Sequence, residues 1–171
     1  NANVGTGKTV TLSVTNGGVD VANYTITNQS STTANITAKT LTATASASNK
    51  VYDGTTTAAA TLTFSDLVGS ETLGQSVGAT FADQNVDTGI VVTVNSITLS
   101  DGDNGGLATN YTISTGQTTT ADITAKTLTA TASASNKVYD GTTTAAATLT
   151  FSDLVGSETL GQSVGATFAD Q

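Results

Sequence analysis

The 171-residue chain sets 13 acidic residues against five lysines, a net charge of −8, and contains no Cys, His, Pro, Met or Trp. These absences exclude disulfides, thiolate nucleophiles, zinc sites of the usual ligands and Ser-His-Asp chemistry. The negative charge opposes nucleic acid and anionic lipid surfaces, and no apolar stretch approaches the roughly 18 residues of a membrane helix.

In chain order, the dominant pattern is an alternation of apolar residues with Thr and Ser, which together make up 55 of the 171 positions. Such a period-two pattern in β-branched residues predicts half-buried strands. Ala34, Ile36 and Ala38 share one parity, whereas Leu41, Ala43 and Ala45 take the other, so the inward face flips at Lys39-Thr40. If the backbone from Thr32 to Ala47 stays extended, the flip marks a stiff junction between two domains, with its copy at Lys126-Thr127. Further strands are expected around Leu62 and Phe64, Val77 to Phe81, Ile90 to Val94, Ile97 and Leu99, and Tyr111 and Ile113. The parity change between Val94 and Ile97 predicts a bulge or turn near Asn95. One helical turn is conceivable at Ser65–Val68. Asn16-Gly17-Gly18, Asp53-Gly54 and Asp101–Gly106 supply the turn chemistry.

The chain also repeats itself. Ile36–Gln84 recurs letter for letter as Ile123–Gln171, 49 residues at an offset of 87. More loosely, Asn3–Gly7 matches Asn85–Gly89 and Asn23–Ile26 matches Asn110–Ile113. A period this long suits self-contained beads rather than a solenoid. The expected fold is all-β: tandem small antiparallel β domains, sandwich or β-grasp-like, in an end-to-end array. Residues 1–38 are read as the second half of one repeat domain, 39–125 as a complete domain and 126–171 as the first half of the next.

Lys50-Val51-Tyr52-Asp53-Gly54-Thr55-Thr56, followed by Phe81–Val86, Asn110–Ile113 and Ala121–Lys126, resembles the YDG-type repeat, and the related MBG repeat, of large bacterial filamentous-haemagglutinin-like surface adhesins. Members of that family commonly carry Pro where Ala38 and Ala125 stand here. The resemblance implies a secreted, cell-surface or extracellular-matrix location and a stalk with no enzymatic role.

Several residues invite sharper readings. Tyr52 beside Asp53 is a pair that sugar-binding sites use, although Asp53 also suits an Asx turn. Asp101 and Asp103 sit in an oxygen-rich loop that suggests calcium, but the loop lacks the distal bidentate Glu of an EF-hand. Its counterpart Thr15–Gly18 has no acid. Thr40, Thr42 and Thr44 form a hydroxyl row that reads as a solvated strand face. The sequons at Asn23, Asn35 and Asn110 are short enough to arise by chance. Lys39 and Lys126 are candidates for covalent crosslinks. No catalytic, cofactor-binding or metal residue is assigned, and no enzyme activity or cofactor is expected. A hydrolase would need two acids facing one cleft, whereas these are scattered over turns.

The leading expectation is therefore a stiff, acidic stalk. Its partners would be adjacent repeats or copies of itself, joined head-to-tail by strand complementation between half domains. The alternative is a carbohydrate- or receptor-binding β module.

Overall fold

The computed structural model describes residues 1–169. Threonine-rich alternation folds as predicted into strands: β1 (Gly5–Thr11), β2 (Ser31–Ile36), β3 (Lys39–Thr40), β4 (Ala43–Ala47), β5 (Lys50–Val51), β6 (Thr57–Ala58), β7 (Ala60–Phe64), β8 (Leu73–Phe81), β9 (Asp87–Asp101), β10 (Tyr111–Thr112), β11 (Thr118–Thr124), β12 (Thr129–Ala134), β13 (Thr144–Ala145), β14 (Ala147–Ser152) and β15 (Ala166–Thr167). The described residues hold no α-helix, only single 3-10 turns at Val21–Asn23 and Ala108–Asn110, so none is long and apolar enough to cross a membrane. The helical turn conceivable at Ser65–Val68 does not form. Instead, Glu71 N donates to the Val68 carbonyl at 3.1 Å, with Gly69 at φ +57° supplying the left-handed residue that such a turn needs.

The chain divides into two compact units. The first gathers residues 1–46, 60–78 and 94–117. Here β1 pairs antiparallel with β2, with Thr11 opposite Ser31, β4 lies beside β7, and β10 pairs in parallel with β3 over two residues. Its buried apolar residues are Leu41, Ala45, Leu62, Val94 and Tyr111. Gln75 patches the backbone of Leu62: its amide oxygen accepts from Leu62 N at 3.1 Å and its amide nitrogen donates to Leu62 O at 2.6 Å. A side chain thus satisfies strand groups that a neighbouring strand would otherwise pair.

The second unit gathers residues 47–59, 79–93 and those from Thr118 onward. A five-stranded sheet runs in the order β5-β11-β9-β8-β6, antiparallel except for the two-residue parallel pair of β5 with β11. Its core is Ala58, Ala79, Phe81, Ile90, Val92, Ala121 and Ile123. Two small antiparallel pairs, β12 with β14 and β13 with β15, complete the unit.

The sequence phase slips resolve differently. β9 stays one strand from Asp87 to Asp101: Ile90, Val92 and Val94 are buried, Asn95 and Ser96 are both exposed, and Ile97 and Leu99 are half-buried on the other parity. The face changes there without a turn. The single extended run expected from Thr32 to Ala47 is instead three strands, β2, β3 and β4, interrupted at Thr37-Ala38 and at Leu41-Thr42. At the copy of that junction, β11 ends at Thr124 and β12 begins at Thr129. The Thr hydroxyl row survives only as a solvated face, with Thr40, Thr42 and Thr44 all exposed.

A matched pair of bulges was not read from the sequence. Register shifts by one residue between Gly5 and Lys8 of β1, and again where Ala121 and Ile123 of β11 face Ile90 and Asp87. Gly7 (φ +61°) and Gly89 (φ +65°) occupy these places, the left-handed position of a glycine bulge. Each freed N–H is met from the partner strand: Gly7 N donates to Asn35 Oδ1 and Gly89 N to Asp122 Oδ1, both at 2.8 Å. The sequence signal was Asn3-Val4-x-Thr6-Gly7 recurring as Asn85-Val86-x-Thr88-Gly89.

Candidate functional site

The Tyr-Asp-Gly segment forms a self-contained turn. Asp53 Oδ1 accepts from Thr55 N at 2.9 Å and from Thr55 Oγ1 at 2.8 Å, the Asx arrangement expected of it, while Gly54 takes φ +72°. The Lys50 ammonium closes the turn from inside: it lies 2.6 Å from Asp53 Oδ1 and donates to Thr55 O at 2.7 Å, Thr55 Oγ1 at 3.0 Å and Thr57 O at 3.2 Å. It also lies 5.6 Å from the Phe81 ring centroid, within cation–π range.

The second copy builds the same turn from Lys137, Asp140 and Thr142, with Lys137 2.7 Å from Asp140 Oδ1 and 5.9 Å from the Phe168 ring. The turn is encoded locally, because its groups lie within eight residues of one another and form in both settings.

Its electrostatics follow from the ammonium. Lys50, then the Thr55 N–H and hydroxyl, hold the Asp53 carboxyl down from an ordinary 3.8 to about 2. Asp140 is lowered by the same kind of partners, Lys137 first. A carboxyl depressed in the folded state contributes stability that is present above its ordinary value and is lost as pH falls through the folded one. Acid destabilisation from this turn is therefore expected between about pH 4 and pH 2. Carboxyl titration by NMR checks this: in a Lys50→Met variant, Asp53 should titrate closer to its ordinary value, and an unchanged Asp53 titration would show that the ammonium is not the cause.

Beyond the turn, Tyr52 and Gly54 meet the second copy. The Tyr52 hydroxyl donates to Glu158 Oε1, and this bond raises the phenol's pKa above its ordinary 10.0. A Cβ on Gly54 would lie 2.9 Å from Val155 Cγ1. Val86, Lys126, Leu128, Leu154 and Leu160 line the apolar pocket around this contact.

A related pocket in the other unit uses the equivalent Val4, Lys39, Val68 and Glu71. There the Tyr111 hydroxyl donates to Glu71 Oε2 and accepts from Val68 N at 3.1 Å. The Glu71 carboxylate is the main reason that the phenol of Tyr111 is raised. Asn110 Oδ1 accepts from Val4 N at 2.9 Å, and Lys39 donates to the Asp66 carbonyl. Neither glutamate stood out in the sequence, because its tyrosine lies 106 residues away in one case and 40 in the other.

The remaining candidates have structural occupations. Asp101 Oδ1 accepts from Ala108 N at 2.8 Å, and Asp103 N donates to Thr72 Oγ1 at 2.7 Å. The two are not joined by a third ligand: among the described residues no three His, Cys, Asp or Glu side chains form a group that could hold a metal. Asn35 caps a bulge and the Asn110 amide contacts Asn3; Asn23 lies in an exposed 3-10 turn.

Fold and site together define an all-β repeat protein organised around a lysine-stapled Tyr-Asp-Gly turn. The chain belongs to the YDG domain family, whose model matches residues 37–121 and 124–171. No curated protein and no solved structure matches it.

Proposed function

We propose that the chain is a structural repeat region of a secreted bacterial adhesin or extracellular fibre, an acidic stalk whose half domains join head-to-tail by strand complementation. The observation that carries this reading is the contrast between two settings of one sequence. Phe81 is 2% exposed, whereas Phe168, in the same 49-residue block, is 47% exposed. β9 to β11 cover the first block, and the second has no such cover among the described residues.

Residues 1–38 carry the reciprocal deficit: Ile36 is 39% exposed where its equivalent Ile123 is 1% exposed. The second half of one repeat and the first half of another are complementary surfaces, and strand addition joins such pieces through main-chain hydrogen bonds, whether they come from adjacent repeats or from copies of the chain. The repeat supplies a register for this pairing: Ile123 pairs with Lys50 and Thr124 with Val51, so in the proposed junction Ile36 of a second copy would lie opposite Lys137 and Thr37 opposite Val138.

Strand structure stops at Thr37-Ala38 and at Leu41-Thr42 on either side of Lys39, and between Thr124 and Thr129 around Lys126, so one continuous strand does not join the repeats. The carbohydrate- or receptor-binding alternative has less support, since Asp53 is spent on its own turn and the Tyr52 hydroxyl on Glu158. Sedimentation over a range of concentrations tests the proposal. Association is expected for the whole chain and not for a variant lacking residues 1–38; assemblies that persist after the deletion would refute the mechanism.

A further inference from the structure

We infer that the Tyr-Asp-Gly turn is the docking element that joins each repeat to the next, and that Tyr139 of one chain seats on the Val68–Glu71 loop of a second copy. The intermolecular part rests on the head-to-tail reading above; the docking itself is visible within the chain. Tyr52 and Gly54 engage Val155 and Glu158, which stand 87 positions after Val68 and Glu71 in the repeated block. Both loops have the same shape: Glu71 N donates to Val68 O and Glu158 N to Val155 O, each at 3.1 Å, with Gly69 and Gly156 at φ +57° and +56°.

Exposure separates the occupied partners from the unoccupied ones. Val155, under the Gly54 turn, is half-buried, whereas Val68 is 55% exposed; Tyr52 is half-buried, whereas Tyr139 is 93% exposed. A Cβ on Gly141 would meet nothing within 4 Å, in contrast to its twin Gly54. The turn that carries Tyr139 is already formed by Lys137 and Asp140, so docking orders little new backbone.

The acceptor is prepared as well. Tyr111 occupies Glu71 Oε2, and Tyr52 approaches the equivalent glutamate through Oε1. In a joined pair, one carboxylate would thus accept a tyrosine from its own repeat and another from the preceding one. Oε1 of Glu71 has no partner among the described residues. A hydroxyl-to-carboxylate bond is charge-assisted.

Paired substitutions in the whole chain test this, since each mutated residue has an identical twin in the other setting. In dilute solution, Tyr52→Phe is expected to raise the unfolding equilibrium constant of its unit roughly three- to tenfold, and to lose that effect when Glu158→Ala is already present. Tyr139→Phe should leave it unchanged. Gly54→Ala should cost more than Gly141→Ala, because both glycines share the backbone strain and only Gly54 faces Val155. Equal effects of Tyr52→Phe and Tyr139→Phe would overturn the docking role. At concentrations where the whole chain associates, Tyr139→Phe should weaken association by a similar factor, and association as strong as that of the parent chain would overturn the intermolecular contact. If the parent chain does not associate at all, the head-to-tail reading and the Tyr139 contact fail together, while the dilute comparison still decides whether the turn docks within the chain.

Discussion

Gly106→Ala is expected to cost the first unit about 3 kcal/mol, the upper end of what overpacking does. Gly106 is buried, and a Cβ built on it would sit 1.9 Å from the Thr72 carbonyl oxygen and 3.0 Å from the carbonyl carbon. The obstacle is backbone, so no rotamer change relieves it. Nor can Thr72 withdraw freely: its N–H donates to Asp103 O at 3.1 Å and its hydroxyl accepts from Asp103 N at 2.7 Å. Moving Thr72 would unseat the whole Asp101–Gly106 loop, which Asn104 also ties to the Ser70 carbonyl at 2.9 Å. Gly74→Ala supplies the contrast. Its Cβ would meet Ser100 Oγ at 2.2 Å, but the Ser100 Cβ is 3.6 Å away, so rotation of one hydroxyl makes room at a cost of about 1 kcal/mol. Chemical denaturation of the two variants checks this, and comparable losses from both would show that the loop yields where the geometry says it cannot.

That loop also marks how far the sequence could be read. Asp101–Gly106 announced a turn through its composition, and Asp53-Gly54 announced an Asx turn, because both depend on residues a few positions apart. Strand positions were legible for the same reason: alternation at Ile90, Val92 and Val94 follows from one face being buried, and period two is visible without knowing what buries it. What could not be read is what each face meets. The loop's oxygen-rich look suggested a cation, whereas its glycines admit the Thr72 backbone, a partner about 30 residues distant that leaves no pattern. The parallel contacts of β3 with β10 and β5 with β11 are two residues long, too short for any periodicity. The tyrosine–glutamate bonds join single residues across long loops and have no spacing rule at all. The junction at Lys39 was placed from a true change of face, but a parity flip is equally well made by interrupting the strand, and gaps at Thr37-Ala38 and Leu41-Thr42 flank β3 there.

Phe81→Ala and Phe168→Ala should differ by several kcal/mol in dilute solution, although the two residues lie in identical sequence. Phe81 belongs to the core of the second unit beside Val92 and Ile123, neither more than 1% exposed. Removing a phenyl ring from such a site leaves a cavity whose lining cannot collapse onto it, which costs about 3–5 kcal/mol. Against the 5–15 kcal/mol of a typical domain, that loss is a large share of the unit's stability. Phe168 is 47% exposed, so its truncation forfeits only part of a hydrophobic transfer of about 1.5–3 kcal/mol. The Lys137 contact to its ring survives in the second block, so the local turn should persist without the core. Thermal unfolding of both variants at low concentration measures the difference, and equal losses would mean that the first block owes its stability to its own residues rather than to the strands that follow it. The comparison changes sign of interest at high concentration. If a second chain covers the second block, Phe168 becomes a buried ring and its truncation should begin to resemble that of Phe81, with weakened association as the readout.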